Sequence, residues 1–271
     1  DRSLSTSIES TSIDKEKDYG FKSSLTKFAM GTSFEQYENI FFSPNFSLSQ
    51  ERLTTTANAS ENYKKQEGSY FDTLLNYSLS YNTLDSSYRP TSGVVSTFSQ
   101  ELPIVSDGYN IINGYQVTGY KEVVNDSILA VGFYTRAINS LQSNQDVRVS
   151  KRMFLPAGRL RGFEAGKIGP KDGADFVGGN YLASFNTSVT LPFLFPTYDG
   201  VDFRLFFDAA NVWHVDYSNT VDQSNTVRSS TGVGLNLRTP VGPLSFSLSQ
   251  PITKADGDVT ETIRFNIGTT F

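Results

Sequence analysis

The chain contains 271 residues, with 23 Lys and Arg against 28 Asp and Glu, and therefore carries a formal net charge of −5. It has no Cys and one His, which excludes disulfide frameworks, thiolate metal sites, Cys nucleophiles and multi-histidine metal sites. The acidic balance argues against a nucleic-acid surface, because such surfaces need clustered Lys and Arg. The longest apolar run, residues 128–134, is far shorter than the roughly 20 residues of a membrane-spanning helix.

Most of the chain alternates apolar and polar residues with period two, which is typical of the strands of a transmembrane β-barrel. In residues 71–81, Phe71 and Leu75 share one face of an extended chain, and Asp72 and Asn76 share the other. The predicted strands, in chain order, are residues 2–12, 19–30, 39–53, 71–81, 91–102, 109–120, 129–133, 179–193, 201–213, 226–239, 243–250 and 260–271. The sequence therefore predicts an all-β fold, a transmembrane antiparallel β-barrel with about 12 strands in this chain and no helix.

The polar face of these strands favours a water-filled lumen over the solvent side of a soluble sheet. It carries charged residues in successive strands, such as Asp202, Arg204, Asp208, Arg228 and Arg238. Turn signals separate the strands, among them Asp107-Gly108, Asp199-Gly200 and Asp256-Gly257. A soluble β-rich binding protein is the alternative, and partitioning into detergent would separate the two.

Residues 139–178 interrupt the alternation with a long segment rich in glycine. Loops of more than about 12–15 residues are uncommon unless they are functional or disordered. This segment contains Phe154, Leu155, Leu160 and Phe163 among charged residues, which is not the composition of a flexible tether. Two interpretations are open: an external loop that shields the mouth of the barrel, or a loop that folds into the lumen and docks there.

Four short motifs occur in order within residues 151–271. Residues 160–163 read Leu-Arg-Gly-Phe, and residues 206–213 read Phe-Phe-Asp-Ala-Ala-Asn-Val-Trp. Residues 240–244 read Pro-Val-Gly-Pro-Leu, and residues 265–271 read Phe-Asn-Ile-Gly-Thr-Thr-Phe. Together they resemble the signature loop, the F-F-D-x-G-x-V-W strand, the S/T-P-x-G-P hairpin and the closing strand of the BamA/TpsB superfamily of outer-membrane barrels. The residues before them match this superfamily only as generic barrel strands.

The resemblance implies a barrel of 16 strands preceded by periplasmic POTRA domains, with the motif loop sixth on the extracellular side. Five strands should follow that loop, and five are predicted here. About seven precede it, roughly four fewer than the superfamily has. We therefore expect residues 1–271 to be the C-terminal part of one outer-membrane β-barrel domain, without the POTRA domains and the first strands. The alternative is a natural barrel of 12 strands.

The resemblance also implies roles for the three residues of the loop motif, Arg161, Gly162 and Phe163. The motif Arg of the superfamily reaches an acidic patch on the inner wall, and Asp208 matches the acidic wall residue. Phasing independently points Asp208 into the lumen. An Arg–Asp contact there would be charge-assisted and could be bidentate. Otherwise Arg161 is an exposed loop residue and Asp208 only lines the lumen.

The chain departs from the superfamily at one wall position. BamA-type members often carry an inward Glu on the strand after the loop, and the aligned residue here is Ser188. The acidic patch is then either smaller than in the superfamily, or Asp202 contributes to it.

The last strand carries a second set of predicted site residues, Ile263, Phe265, Ile267, Gly268 and Phe271. The alternating apolar residues and the terminal Phe resemble the C-terminal signal by which outer-membrane barrels are recognised for insertion. In BamA-type members this strand also pairs weakly with the first strand and forms a lateral gate. Gly268 matches the position at which the gate strand of these members bends inward, and Gly weakens a strand interior and permits a kink. Otherwise Gly268 is a small lumen residue without a role.

The resemblance implies an assembly factor of the bacterial outer membrane, which folds and inserts other β-barrel proteins through a lateral gate and strand templating. Its expected partners are the outer-membrane lipid bilayer, nascent outer-membrane β-barrel proteins and accessory lipoproteins bound through POTRA domains, with no nucleic acid. No cofactor or metal is expected. The alternative is a protein-translocating pore such as a two-partner-secretion transporter, whose loop motif would look alike. The ending of the chain, residues 266–271, favours the assembly factor.

The remaining polar residues do not predict an enzyme. His214 follows a strand end, where an interfacial residue is expected more often than a ligand or a base. Asp72, Glu101 and Asp202 could suggest an outer-membrane protease or lipase, but no nucleophile and base accompany them. The glycines at positions 162, 166 and 169 lack the strand–turn–helix context of a phosphate-binding loop.

Overall fold

A computed structural model describes residues 2–15, 20–87, 89–143, 145–195, 200–216, 221–222, 224–239 and 242–267. The strands are β1 (Arg2–Lys15), β2 (Phe21–Tyr37), β3 (Ile40–Thr55), β4 (Gly68–Asn82), β5 (Gly93–Ser106), β6 (Asn110–Glu122), β7 (Ile128–Ser140), β8 (Lys171–Asp172), β9 (Asp175–Phe176), β10 (Tyr181–Thr190), β11 (Val201–Trp213), β12 (Val221–Asp222), β13 (Arg228–Thr239), β14 (Gly242–Thr253) and β15 (Ile263–Ile267). Twelve of them form one sheet in the order β1-β2-β3-β4-β5-β6-β7-β10-β11-β13-β14-β15, and all their pairings are antiparallel. The predicted all-β barrel wall of about 12 strands is confirmed.

The strand register places apolar residues of neighbouring strands side by side, in rows that cross the sheet. Leu205, Val233, Leu248 and Ile263 lie side by side on four adjacent strands, and Leu205, Leu248 and Ile263 are exposed. Exposed large apolar residues on other strands include Phe28, Met30, Phe71, Leu75, Leu79, Phe133, Phe185 and Phe246. An apolar surface of this extent needs a lipid or protein cover. Among the described residues, no helix is long and apolar enough to cross a membrane.

The sheet has two ends, which differ in their connections. At the loop end, residues 141–180 join β7 to β10, and further loops lead into β4, β13 and β15. At the turn end, residues 38–39 join β2 to β3 and residues 123–127 join β6 to β7.

Short elements outside the sheet correct two details of the prediction. A helical turn, α1 (Glu61–Lys64), begins after Ser60, whose hydroxyl accepts a hydrogen bond from the Tyr63 amide. Three 3₁₀ helices lie at Val149–Lys151, Ala157–Arg159 and Pro192–Leu194. The predicted strand at residues 179–193 therefore ends at Thr190, because the proline at position 192 lacks the amide that a strand interior needs.

The long loop fills the loop end of the lumen. One apolar cluster joins Leu155, Leu160, Phe163 and Ile168 of the loop to wall residues such as Leu182. A second cluster joins loop residues such as Val149, Phe176 and Val177 to Phe21, Leu53 and Tyr63. Within the loop, β8 and β9 form a small sheet with β12. Of the two interpretations of residues 139–178, the docked loop is correct.

Candidate functional site

The tip of the docked loop binds the inner face of β11 through Arg161 and Asp208. The Arg161 guanidinium donates from Nε to Asp208 Oδ2 at 2.7 Å and from Nη2 to Oδ1 at 2.8 Å. The Arg161 backbone amide also donates to Oδ2, at 3.0 Å. The Asp208 side chain is fully buried and that of Arg161 is 17% exposed. The pair is therefore bidentate and charge-assisted, which fixes both the position and the orientation of the loop tip.

Two further residues complete the surroundings of this pair. Asn186 on β10 donates from Nδ2 to Asp208 Oδ1 at 2.8 Å and to the Arg159 carbonyl oxygen at 2.9 Å. The Arg161 guanidinium carbon lies 3.5 Å from the centre of the Phe206 ring, a cation–π contact. With four donors, the buried Asp208 carboxylate has its acceptor sites filled.

Neither Ser188 nor Asp202 adds a second carboxylate to the Arg161–Asp208 pair. Ser188 lies on β10 opposite Phe206 and brings no charge. Asp202 contacts Arg89 and lies 3.8 Å from Arg238, so its carboxylate serves other guanidinium groups. An amide, Asn186, stands beside Asp208 instead.

Gly162 and Phe163 pack between β13, β14 and the segment that leads into β15. Gly162 has φ +89°, and a Cβ at this position would lie 3.2 Å from the Cβ atoms of Ser230 and Ser249. Phe163 is 2% exposed and forms an isolated antiparallel bridge with Thr260. The turn after Arg161 thus needs a residue that tolerates both positive φ and close packing.

The docked loop also holds the segment that precedes β15. The Glu164 amide donates to the Val259 carbonyl oxygen at 2.9 Å, and the Val259 amide donates to the Lys167 carbonyl oxygen at 3.1 Å. The Glu261 amide donates to the Gly162 carbonyl oxygen at 3.0 Å. Through these three bonds, the backbone of residues 259–261 pairs with the backbone of the docked loop.

Arg264 on β15 binds the same loop from the strand itself. Its Nη2 donates to the Phe163 carbonyl oxygen at 2.6 Å, and its Nη1 donates to the Ala157 carbonyl oxygen. Its Nε donates to Glu261 Oε2 at 2.8 Å. The Arg264 side chain is 10% exposed, so the lumen face of β15 is covered by the loop.

A second anchor fixes the beginning of the loop to β3 and β4. Arg148 donates from Nη2 to Asp72 Oδ2 at 2.7 Å and from Nη1 to Glu51 Oε2 at 3.3 Å. Lys151 adds a contact from Nζ to Asp72 at 2.9 Å, and Ser23 donates to Glu51 at 2.6 Å. The loop therefore links β3 and β4, near the start of the sheet, to β11 and β15, near its end.

The predicted residues of the last strand lie on its outer face. Ile263, Phe265 and Ile267 are 67%, 48% and 67% exposed. β15 pairs with β14 from Ile263 up to Ile267, the last described residue. Gly268 and Phe271 lie outside the described residues.

The acids considered for catalysis each take part in an ion pair. Asp72 belongs to the second anchor, Asp202 contacts Arg89, and Glu101 lies 3.0 Å from Arg136. His214 has φ +66°, and its ring centre lies 5.2 Å from that of Tyr181. Among the described residues, no group of three or more His, Asp or Glu is arranged to hold a metal ion.

Several residues of this site were not found from the sequence. Asn186, Arg148, Glu51 and Arg264 each lack a motif of their own. The strand phase places Glu51 and Asp72 on the lumen face. A carboxylate buried there needs a cationic partner. Arg148, close in sequence to Lys151, is the cation that such a search would have found.

The fold and the docked loop define a class of protein, a membrane-spanning β-barrel whose lumen is filled by its own longest loop. The family model described as the Omp85 superfamily domain matches residues 1–271, and the chain belongs to this superfamily. The resemblance inferred from the loop motif and the C-terminal strands is thereby confirmed, and the chain is an integral β-barrel of an outer membrane.

Individual relatives cover most of this chain. The outer membrane protein assembly factor BamA of Neorickettsia risticii is 27% identical over 232 residues, which are 83% of this chain and 31% of that protein. The sorting assembly machinery 50 kDa subunit of Saccharomyces cerevisiae is 27% identical over 218 residues, which are 76% of this chain and 44% of that protein. The chain thus spans between 31% and 44% of the length of these two curated relatives.

Solved structures share the fold. The crystal structure of BamA from Haemophilus ducreyi lacking POTRA domains 1–3 has a TM-score of 0.82 and 23% identity, and the match covers 97% of this chain and 58% of that one. CdiB from Acinetobacter baumannii has a TM-score of 0.58 and 11% identity, with 91% of this chain and 42% of that chain covered.

Proposed function

We propose that this chain is the β-barrel of an assembly factor that folds and inserts other β-barrel proteins into the bacterial outer membrane. The observation that carries the proposal is the junction between the docked loop tip and β15, the last described strand. Superfamily membership along the whole chain and relatives named as assembly factors and sorting machinery support it.

The mechanism we infer requires no bond chemistry. A weakly paired strand can separate from its neighbour and expose unpaired backbone amides and carbonyls, which template an incoming strand. Such pairing matters in a bilayer, because unsatisfied backbone groups are costly in hydrocarbon. A barrel that mismatches and thins the surrounding bilayer would further lower the cost of insertion.

The residues of the two predicted sets have separate roles in this mechanism. Arg161, Gly162, Phe163 and Asp208 hold the loop in the lumen. The outer face of β15, together with Gly268 and Phe271, forms the gate and the C-terminal signal. Nascent outer-membrane β-barrel proteins are the substrates, the lipid bilayer is the surrounding partner, and accessory lipoproteins bind through POTRA domains elsewhere in the full-length protein.

Depletion of the full-length protein in its own cell tests this function. Folded porins are quantified by heat-modifiable gel mobility alongside their transcripts, and the cells are complemented with wild type, with Asp208→Ala or with Glu101→Ala. Broad loss of folded barrels at unchanged transcript, restored by wild type and Glu101→Ala but poorly by Asp208→Ala, is the expected result. Normal porins with loss of one secreted protein would instead establish a translocating pore.

A further inference from the structure

A small cavity lies in the lumen on the turn-end side of the Arg161–Asp208 pair. It has a volume of about 40 Å³, and its lining includes Arg161, Arg204 and Arg264 together with Asn236, Ser245 and Asn266. One water needs roughly 10–15 Å³ by the same measure, so the cavity has room for a larger polar group. The strand register explains why it exists. Arg204 and Arg264 lie in one row, separated by the small residues Gly234 and Ser247.

Two of the three arginines have acidic partners, and the third does not. Arg161 is bonded to Asp208, and Arg264 is bonded to Glu261. Arg204 forms no ion pair with any described residue, and its Nε is buried without a hydrogen-bond partner among them. A half-buried guanidinium without a counter-charge is costly, because burial removes the water that would stabilise it.

The surroundings of Arg204 cannot neutralise it. The charged side chains that act on it include Asp202, Arg161 and Arg89, of which only Asp202 is acidic. The Asp202 carboxylate already contacts Arg89 and lies 3.8 Å from Arg238. One carboxylate therefore serves three guanidinium groups, in a chain whose overall charge is negative.

A second, independent polar group lines the same cavity. Ser245 is 5% exposed, and its hydroxyl also has no hydrogen-bond partner among the described residues. It lies in the register between Asn236 and Asn266, whose amides are hydrogen-bond donors. The cavity thus combines an unpaired cation, a free hydroxyl and two amides.

We propose that this cavity is a binding site for a small oxyanion, a carboxylate or a phosphate, held by the Arg204 guanidinium and the Ser245 hydroxyl. A planar guanidinium matches both groups, since each offers two oxygens to its fork of N–H donors. The site lies toward the turn end of β11, β13, β14 and β15, so its ligand enters from that end. This inference does not depend on the proposed assembly function.

Ligand-dependent stability of the full-length protein in detergent tests the site. Sodium phosphate, a short peptide with a free C-terminal carboxylate and its amidated form are each compared with sodium chloride at matched ionic strength. Phosphate or the free peptide should raise the unfolding midpoint of the wild type by at least about 3 °C with saturation. A response to phosphate alone identifies an inorganic ligand, and a response to the free but not the amidated peptide identifies a chain terminus.

Variants connect the response to the cavity. Arg204→Gln and Ser245→Ala should lose or weaken the response, whereas Arg136→Gln, which removes a lumen arginine paired with Glu101, should keep it. Without added oxyanion, Arg204→Gln should be at least as stable as the wild type, because it removes an unpaired cation. The proposal is overturned if phosphate and the free peptide act on the wild type like chloride, or if Arg204→Gln responds like the wild type.

Discussion

Arg264 donates a hydrogen bond from Nη2 to the carbonyl oxygen of Phe163 at 2.6 Å and thereby joins the last described strand to the tip of the docked loop. Phe163 is buried in the apolar cluster that the loop forms with the barrel wall. Any movement of β15 away from the lumen must therefore break this bond or displace the loop. Loop docking and strand position are coupled through these two residues.

The first prediction concerns this coupling. Arg264→Ala removes two hydrogen bonds from a charged donor to loop carbonyls, each worth roughly 1.5–3 kcal/mol. Amide hydrogen exchange should then accelerate at least about tenfold in residues 263–267 and in residues 157–163. Arg136→Ala serves as the control and should leave both segments unchanged. Faster exchange in the loop with an unchanged β15 would show that the two move independently.

The second prediction concerns the Arg161–Asp208 pair. Arg161→Ala leaves the buried Asp208 carboxylate without its cation, which costs about 3–5 kcal/mol for a pair of this kind. Asp208→Asn should cost less, because the amide oxygen still accepts one of the bonds. Limited proteolysis within residues 139–178 measures the loosening. In a double-mutant cycle the two substitutions should not be additive, and simple additivity would contradict direct coupling.

The third prediction separates backbone strain from packing at the loop motif. Gly162→Ala places a Cβ 3.2 Å from two serine Cβ atoms in addition to straining φ +89°. Gly173→Ala is the matched control, because Gly173 has φ +63° and nothing within 4 Å of the new Cβ. Strain alone costs roughly 1–3 kcal/mol. The proteolytic loosening should therefore be clearly larger for Gly162→Ala, and equal effects would mean that the motif glycine is needed only for its backbone freedom.

The fourth prediction concerns the second anchor. Arg148→Ala removes the cation that joins Asp72 and Glu51, so that Asp72 keeps Lys151 and Glu51 keeps only hydroxyl donors such as Ser23. Amide exchange should accelerate in residues 145–155, while residues 160–163 keep the protection given by Arg161. Acceleration of both segments to the same extent would show that the loop undocks as one unit.

Much of this architecture could be predicted because it depends on periodicity. Rows such as Leu205, Val233 and Leu248 alternate with lumen residues along each strand, so the number of strands and the inward direction of Asp208 follow from the sequence. The pairing partner of Asp208 was suggested by a motif, because no local rule connects residues 47 positions apart.

The second anchor and the contacts of Arg264 could not be predicted in the same way. Both depend on the path of residues 141–180 through the lumen, and the sequence of this segment has no apolar–polar periodicity from which the path could be predicted. Arg148 meets Asp72 across 76 positions of sequence, and Arg264 meets Phe163 across 101. Such contacts are determined by how the loop packs against the whole wall. The inward phase of Asp72 indicates that it needs a cationic partner, but no local rule identifies which residue supplies it.

The fifth prediction concerns pH. Burial raises the pKa of Asp175, in the loop hairpin, and the carboxylate of Asp172 raises it further against the opposing hydrogen bond from the Ser60 amide. The folded state therefore binds the Asp175 proton more tightly than the unfolded state, whose pKa is about 3.9. Ionisation of Asp175 then weakens loop docking as pH rises above about 4. As the pH rises above about 4, the loop of Asp175→Asn should become progressively more resistant to proteolysis than the loop of the wild type.

An acid at the turn end should show the opposite sign. Hydrogen bonds from Thr91 and the Ser92 amide lower the pKa of Asp85 to about 2. The ionised carboxylate therefore stabilises the folded state above about pH 4, and this contribution is lost as the pH falls through about 2. Asp85→Asn should therefore lower the unfolding midpoint at neutral pH and approach the wild type in acid. The two variants differ in the direction of the pH effect, and a common direction would contradict the assigned causes.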